Sequence, residues 1–333
     1  MTHGCTLRQQ RSSDEDCPSL ASLSARDLVR RIVIVIPTYN SASHLRETLD
    51  SLVNQDINIP NGLSVLIADD GSTDETLGLV SKDLQGRFTV AVAESWTHVG
   101  ERANVNRALD DLKVSGTEWV LILHSDDIAK SSWLSTMLSR IDLCDDRVGT
   151  ICSSWDTLLP DGTVIPGEDD ASRSVERIAG GVEAVRNSLR KGCWWHISGC
   201  AIRMQTVHEV GVFEPDMAQT GDWEWLLRCL KRGWAVEYIP RTLIEYRQHS
   251  RSVSSNSFRK SRDIIESLGI VRKYSDLMSA QELLNFHLRR QRFVILRIGR
   301  ALIEFRFRRV VHLVAVMGRI GLSFFCCIAR APA

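Results

Sequence analysis

Residues 31–40 read Arg31-Ile32-Val33-Ile34-Val35-Ile36-Pro37-Thr38-Tyr39-Asn40. A run of β-branched residues with no polar face reads as a strand buried on both sides, the kind found inside a parallel sheet. Pro37 and the polar residues after it end the strand. Ser41 or Ser43 can then cap a helix that carries Leu45, Leu49 and Leu52 on one face. The same unit recurs. Ser64 to Ala68 is a second buried strand, closed by Asp69-Asp70-Gly71-Ser72, and Thr73 to Thr76 opens a helix. Phe88 to Ala93 is a third strand, and Asn104 to Leu112 is helical. Trp119 to Leu123 is a fourth strand, ending at His124-Ser125-Asp126-Asp127. Strands alternating with helices at this spacing predict a mostly parallel α/β sheet flanked by helices. Ligands of such sheets bind outside the carboxyl ends of the strands. Three strand ends carry Thr38-Tyr39-Asn40, Asp69-Asp70 and Asp126-Asp127, so all three polar clusters are expected on one edge.

The chain of 333 residues is long enough for one large or two modest domains, and its 44 % hydrophobic and 25 % charged content is that of a soluble globular protein. Net charge is zero but unevenly spread: residues 258–333 hold 15 Lys/Arg against 5 Asp/Glu, leaving 26 against 36 elsewhere. A basic tail on an acidic body is drawn to anionic surfaces. The nine cysteines form no C-x-x-C pair and read as free thiols of a reducing compartment. Residues 1–30 are polar, lack the apolar stretch of a signal peptide, and read as a disordered leader. Past residue 140 the pattern loosens. Val148 to Cys152 is a strand, Leu159 to Thr163 a hairpin turn, Thr220 to Arg232 a tryptophan-rich helix, and Val236 to Ile239 another strand.

The ordered set Val33-Ile34-Val35-Ile36-Pro37-Thr38-Tyr39-Asn40, Ala68-Asp69-Asp70-Gly71-Ser72-Thr73-Asp74 and Leu123-His124-Ser125-Asp126-Asp127 resembles the inverting glycosyltransferases of family 2, over residues 31–257. Each piece alone is weak; their order and separation carry the resemblance. It implies the GT-A variant of a Rossmann-like sheet, a nucleotide-diphosphate sugar as donor, and a hydroxyl of a glycan or lipid-linked acceptor. The expected domains are 31–257 for the GT-A unit and 258–333 for a basic helical extension.

The resemblance also implies roles. Asp70 would accept the imide N–H of uracil or thymine, which points to a UDP- or TDP-sugar, with Pro37, Thr38 and Tyr39 beside the base. Taken alone, Asp69-Asp70-Gly71-Ser72 reads as a turn that caps a helix. Asp126 keeps the metal position of the family's D-x-D motif, whereas His124 replaces its first carboxylate. Mn²⁺ or Mg²⁺ there would neutralise the departing diphosphate. His124 would face the ribose or orient Asp126, and Asp127 would contact substrate or cap a helix. His98 stands where the family carries Asn and reads as structural. Arg102 and Arg107 would offset diphosphate charge, though a solvated helix face is as good a reading. In Trp195-His196-Ile197-Ser198-Gly199-Cys200, Ser198 and Gly199 are expected on the acceptor side; a tight turn explains them equally well. In Gly221-Asp222-Trp223-Glu224, Asp222 matches the catalytic base, while Gly221 departs from the usual Glu. Trp223 would offer the sugar an apolar face or, as readily, fill the core. Arg247 and His249, in Tyr246-Arg247-Gln248-His249, would lie near the diphosphate and the metal.

Residues 285–330 mix apolar runs with arginines, as in Phe293-Val294-Ile295-Leu296-Arg297 and Arg306-Phe307-Arg308-Arg309. The pattern fits basic amphipathic helices lying on an anionic membrane, or a helical hairpin packed on the domain or on a second copy. The expected location is cytoplasmic, peripheral on the inner face of the plasma membrane, with no nucleic-acid partner. Two rival functions are a nucleotidyltransferase, which would need a glycine-rich loop after Ile36, and a non-catalytic sugar-binding module, favoured only by His124 and Gly221.

Overall fold

The computed structural model describes residues 7–8, 32–57, 63–83, 88–250 and 252–331. The expected disordered leader therefore lies outside the described residues, apart from β1 (Leu7–Arg8), which pairs antiparallel with the sheet edge, Leu7 opposite Ala93. The chain continues β2 (Ile32–Thr38), α1 (Leu45–Val53), β3 (Ser64–Asp69), α2 (Thr76–Asp83), β4 (Thr89–Glu94), α3 (Glu101–Lys113) and β5 (Trp119–Ile122). Then come β6 (Ile128–Ala129), α4 (Trp133–Leu143), β7 (Val148–Leu158), β8 (Val164–Ile165), β9 (Glu176–Ile178), α5 (Val182–Lys191), β10 (Ala201–Arg203), α6 (Met204–Val210), α7 (Gly221–Lys231) and β11 (Ala235–Arg247). Helices α8 (Val253–Arg259), α9 (Arg262–Lys273), α10 (Ala280–Ile303) and α11 (Phe307–Ile328) close the chain.

The sheet runs β1-β4-β3-β2-β5-β10-β7-β11-β6. Strands β4, β3, β2 and β5 are parallel; β10 runs antiparallel between β5 and β7. The pattern of β2 explains its central place. Ile34 and Ile36 enter the core layer of α1 and α4, while Val33 and Val35 enter the layer of α3, α6 and α7. A strand with two buried faces needs apolar residues at every position, as the sequence has. Strand order reverses between β2 and β5, which opens a crevice at their carboxyl ends. The predicted turn after β7 is present: Leu159 N–H donates to the Thr163 carbonyl at 2.8 Å, and Gly162 takes φ +83°.

The basic extension is packed against the rest. Buried side chains of α9, α10 and α11, including Leu268, Phe286, Val294, Leu313 and Ile320, join the same cluster as Val105 of α3 and Leu226 of α7. Helix α10 starts with a capping box between Ser279 and Glu282. Glu266 of α9 accepts from the backbone N–H groups of Gln219 and Thr220 at 3.0 and 2.9 Å, just ahead of α7. The α7 N-terminus is thus held from the extension. Glu266→Ala leaves those N–H groups unpaired, and urea unfolding should show a loss of about 1–3 kcal/mol. An unchanged midpoint would mean that the contact holds nothing.

Candidate active site

The carboxyl edge is built from the strand ends. Asp69 closes β3: its carboxylate accepts from Thr38 Oγ1 (2.8 Å), Gly71 N (3.1 Å), Ser72 N (2.8 Å) and Ser72 Oγ (2.6 Å). Thr38, expected beside a base, is buried and spent on this fastening, and Pro37 is buried within β2. Asn40 adopts φ +48° and ties Thr73 N to its Oδ1 at 2.8 Å; asparagine tolerates that conformation better than most residues.

Because Asp69 holds the turn, the next carboxylate is free to face across the edge. Asp70 accepts from Val99 N at 2.9 Å and Gly100 N at 2.8 Å, and pairs with His98 Nδ1 at 2.7 Å. The His98 ring stacks on Tyr39, centroids 3.7 Å apart. His98, read as structural from sequence, therefore joins Asp70 and Tyr39. The signal for it was available: the loop after β4 ends on the same edge as the other clusters.

Across the crevice, Ser41 Oγ and Ser125 Oγ lie 2.8 Å apart, joining the ends of β2 and β5. Asp126 Oδ2 lies 2.9 Å from His249 Nε2. Burial alone would raise its pKa, but the His249 hydrogen bond and the charges of His124 and His249 hold it below the ordinary carboxylate value. Asp127 is fully buried and accepts from Arg247 N at 3.0 Å. Burial, and then the charge of Asp126, push its pKa well above normal. Arg247 latches the loop, donating to the Asp126 carbonyl (2.9 Å) and to Glu47 Oε2 (2.6 Å). Ligating atoms of His124, Asp126 and Asp127 all lie within 4.8 Å of one another, and among the described residues His124 Nε2 and Asp127 Oδ2 have no hydrogen-bond partner. Two carboxylates made costly by proximity, with imidazoles beside them, are a donor set that fits Mn²⁺ or Mg²⁺.

Asp222 sits in the first turn of α7. Burial raises its pKa, opposed by the charge of Arg102. Arg102 is buried, and a Cβ on Gly221 would lie 3.4 Å from its Nε, an ordinary contact distance, which places the guanidinium beside the start of α7. Glu101 Oε1 lies 3.4 Å from Arg102 Nη1 and 3.3 Å from His124 Nε2. Asp126, His124, Glu101, Arg102 and Asp222 thus form one charged line from the β5 end to the α7 end. A cavity of about 630 Å³ opens nearby, lined among others by Trp155, Glu168, Lys191, Cys193, Trp194 and Tyr238.

Four expected contact residues serve the scaffold instead. Trp223 is buried and donates Nε1–H to Ser188 Oγ, so it offers no face to a sugar. Arg107 donates to the Asp69 carbonyl (2.8 Å) and Asn104 Oδ1 (2.6 Å) beneath the β3 turn. Ser198 Oγ accepts from His124 N at 3.0 Å. Gly199 has φ +82°, and an added Cβ would lie 2.3 Å from Ile244 Cγ1: core packing requires this glycine. The seven cysteines among the described residues are free, and Cys193 and Cys326 are exposed.

The sequence profile of "Glycosyl transferase family 2" matches residues 33–163. Residues 33–163 thus carry the match to glycosyltransferase family 2, the family that the strand-end motifs resemble. It is 32 % identical over 109 residues to the poly(ribitol-phosphate) β-N-acetylglucosaminyltransferase TarS of Staphylococcus aureus, covering 33 % of this chain and 18 % of TarS. It is 24 % identical over 234 residues to the putative teichuronic acid biosynthesis glycosyltransferase TuaG of Bacillus subtilis, covering 69 % of this chain and 84 % of TuaG. TarS residues 1–349, solved with UDP-GlcNAc, superpose with a TM-score of 0.57 at 18 % identity, over 77 % of this chain and 67 % of that one. A mannosyltransferase of Pyrobaculum calidifontis, solved with GDP-Man and Mn²⁺, gives 0.54 at 16 % identity, over 89 % and 76 %. Matches above 30 % identity span 35 % or less of those relatives' length. The architecture is that of GT-A glycosyltransferases, as expected from the strand-end motifs.

His196 supplies a pH test of the site. It lies 5.0 Å from Trp155 and 6.5 Å from His124, ring to ring, with Nδ1 3.1 Å from the Ser198 carbonyl. Burial and the charge of His124 lower its pKa from 6.5 to about 4. Above pH 6.5 neither folded nor unfolded imidazole is charged. Between 6.5 and 4 the unfolded chain takes a proton that the native site refuses, so stability falls as pH drops, by roughly 3 kcal/mol across the window. Denaturant unfolding at pH 7.5 and pH 5 should show a smaller drop in His196→Asn than in the wild type. Equal drops would remove His196 from the account.

Proposed function

We propose that this chain is a metal-dependent, inverting glycosyltransferase that moves a sugar from a UDP- or TDP-sugar to a hydroxyl of a glycan or lipid-linked acceptor, in cell-surface polysaccharide synthesis. The observation that carries the proposal is the placement of Asp126 and Asp222 at opposite ends of one line of ionisable side chains, in which Arg102 is buried and Asp126, His124, Glu101 and Asp222 are partly exposed. Inverting transfer needs a leaving-group site and a base on opposite sides of the anomeric carbon. Asp126 and His249, with Asp127 beneath, would hold the cation. When bound, it supplies charge to offset that developing on the departing diphosphate. Asp222 takes the proton of the acceptor hydroxyl while the acceptor oxygen bonds to the anomeric carbon and the bond to the diphosphate oxygen breaks. Its raised pKa improves it as a base, and Arg102 keeps the anion accessible. Tyr39 and His98 would provide a stacked edge for the base, and Asp70, buried beneath them and bonded to Val99 N, Gly100 N and His98 Nδ1, would hold that edge in place. One of the two sequence departures has an account here, since His124 is within reach of the carboxylates, and that weakens the non-catalytic reading. By name, TarS glycosylates poly(ribitol phosphate) and TuaG is a putative glycosyltransferase of teichuronic acid biosynthesis, which supports the acceptor class. The cavity beside Trp155 and Trp194 is the assigned place for the acceptor.

Purified full-length protein should turn over a UDP-sugar with Mn²⁺ and stop with EDTA. Asp126→Ala should lose both turnover and metal-dependent nucleotide binding. Asp222→Asn should lose about 10²–10⁴-fold in turnover while binding nucleotide normally. No turnover, with no calorimetric binding of UDP, TDP or GDP in the presence of metal, would overturn the proposal.

The same proposal locates the enzyme at an anionic membrane face. Among the described residues one helix, α11, is long and apolar enough to cross a membrane by length and composition. One of its stripes, Leu313, Val316, Ile320 and Cys327, is already buried against the domain. The opposite stripe, Phe307, Val311, Val314, Leu322 and Phe325, is exposed, and Arg308 and Arg319 flank it. At the α10–α11 turn Ile303, Phe305 and Phe307 are 79 %, 79 % and 64 % exposed among Arg300, Arg306, Arg308 and Arg309. An apolar wedge ringed by arginines fits a surface-lying hairpin. The protein should co-sediment with phosphatidylglycerol vesicles and not with phosphatidylcholine vesicles, and lose binding in high salt or on Phe305→Ser with Phe307→Ser. Equal recovery with both lipids would overturn this location.

A further inference from the structure

We propose that Glu101 and Arg102 form the subsite that reads the transferred sugar, and that it takes a neutral sugar with adjacent free hydroxyls. The inference rests on the glycosyltransferase reading above and deepens it to the class of donor sugar.

The placement starts at the base edge. Asp70 pins the Val99 and Gly100 N–H groups, and α3 begins at the next residue. The first turn of α3 is therefore fixed relative to the nucleotide edge. It projects Glu101 and Arg102 toward the gap between the β5 end and the α7 end. Arg102 is 6 % exposed, yet its Nε and Nη1 find no hydrogen-bond partner among the described residues; nor does Glu101 Oε1. Their contacts, 3.4 Å between Glu101 and Arg102 and 3.3 Å between Glu101 and His124, are ion pairs without hydrogen-bond geometry. The guanidinium rests 5.7 Å from the Phe213 ring centroid, which fixes its plane without satisfying its donors. Buried polar atoms are ordinarily paired, and a cluster of unpaired ones calls for a partner. Ordered water is one partner; a polyhydroxyl ligand is the other.

The location decides between them. Arg102 acts on Asp222, and His124 acts on Asp126. If Asp126 marks the leaving diphosphate and Asp222 the incoming hydroxyl, the anomeric carbon lies between them, and the sugar ring lies over Glu101 and Arg102. A carboxylate only accepts and a guanidinium only donates. Two neighbouring hydroxyls match the pair, one donating to Glu101 and the other accepting from Arg102. A uronic acid would bring its carboxylate against Glu101 and Asp222. A deoxysugar would leave Arg102 donors buried and unpaired, which sites of this kind reject strongly.

The test is calorimetry on the full-length protein with Mn²⁺, using UDP, UDP-glucose, UDP-galactose, UDP-N-acetylglucosamine and UDP-glucuronic acid. At least one neutral sugar nucleotide should bind tenfold or more tightly than UDP, and UDP-glucuronic acid no more tightly than UDP. Glu101→Gln and Arg102→Lys should each remove that gain while leaving UDP affinity within twofold, which also shows that the variants are folded. A gain that survives in both variants, no gain with any neutral sugar, or tighter binding of UDP-glucuronic acid would overturn the subsite. Failure of the wild type to bind UDP at all would instead strike the donor assignment beneath it.

Discussion

The Asp69 carboxylate is the fastening on which the site depends. Parallel strands end with backbone groups that have no ladder partner, and the turn leaving β3 must satisfy them. Asp69 takes four hydrogen bonds, from Thr38, Gly71 and twice from Ser72, and so ties the end of β2 to the turn after β3. The adjacent carboxylate, Asp70, is buried too and takes the loop after β4 through Val99 N and Gly100 N. Two consecutive aspartates thus divide the labour, one holding the turn after β3 and the other the loop after β4.

What the sequence showed clearly was the edge, and what it concealed was direction within it. A short, β-branched apolar run bounded by turn residues reads as a two-sided buried strand, so β2, β3 and β5 and the polar clusters that follow them were legible. Side-chain assignments were harder, because a motif names a position and not the way its side chain points. Thr38, Arg107, Ser198, Gly199 and Trp223 lie in or beside the expected motifs, yet each is spent on the scaffold. The converse error concerns His98, a residue type more often structural than functional, whose role appears only when the β4 loop folds back over Asp70. Helix α5 does carry a helical apolar face, Val185 and Leu189, that the sequence reading left out, whereas the cavity beside it joins residues from separate segments and has no periodic signal.

The site is electrostatically under-paired: Glu101 Oε1, Arg102 Nε and Nη1 and Asp127 Oδ2 find no hydrogen-bond partner among the described residues. A buried charge without full partners costs stability, so its persistence at one place marks where binding is expected to restore the balance. Asp127, disfavoured as an anion by burial and by Asp126, and Arg102, with donors unpaired, have opposite needs. A cation would relieve the first, and hydroxyl oxygens the second.

The basic extension joins this balance to the surface of the molecule. Glu266 of α9 grips the residues just ahead of α7, and Asp222 follows two positions after Thr220. The same helix packs against α11, whose outer stripe is apolar. Lys273 reaches from α9 to Glu224, which Arg228 also holds, so α7 is gripped at its first two turns from the extension side. The extension is therefore joined through one short packed path to the backbone carrying Asp222. On this architecture the extension is a mount for α7, and its removal would loosen Asp222 before it disturbed Asp126, whose support comes from β2, β5 and Arg247.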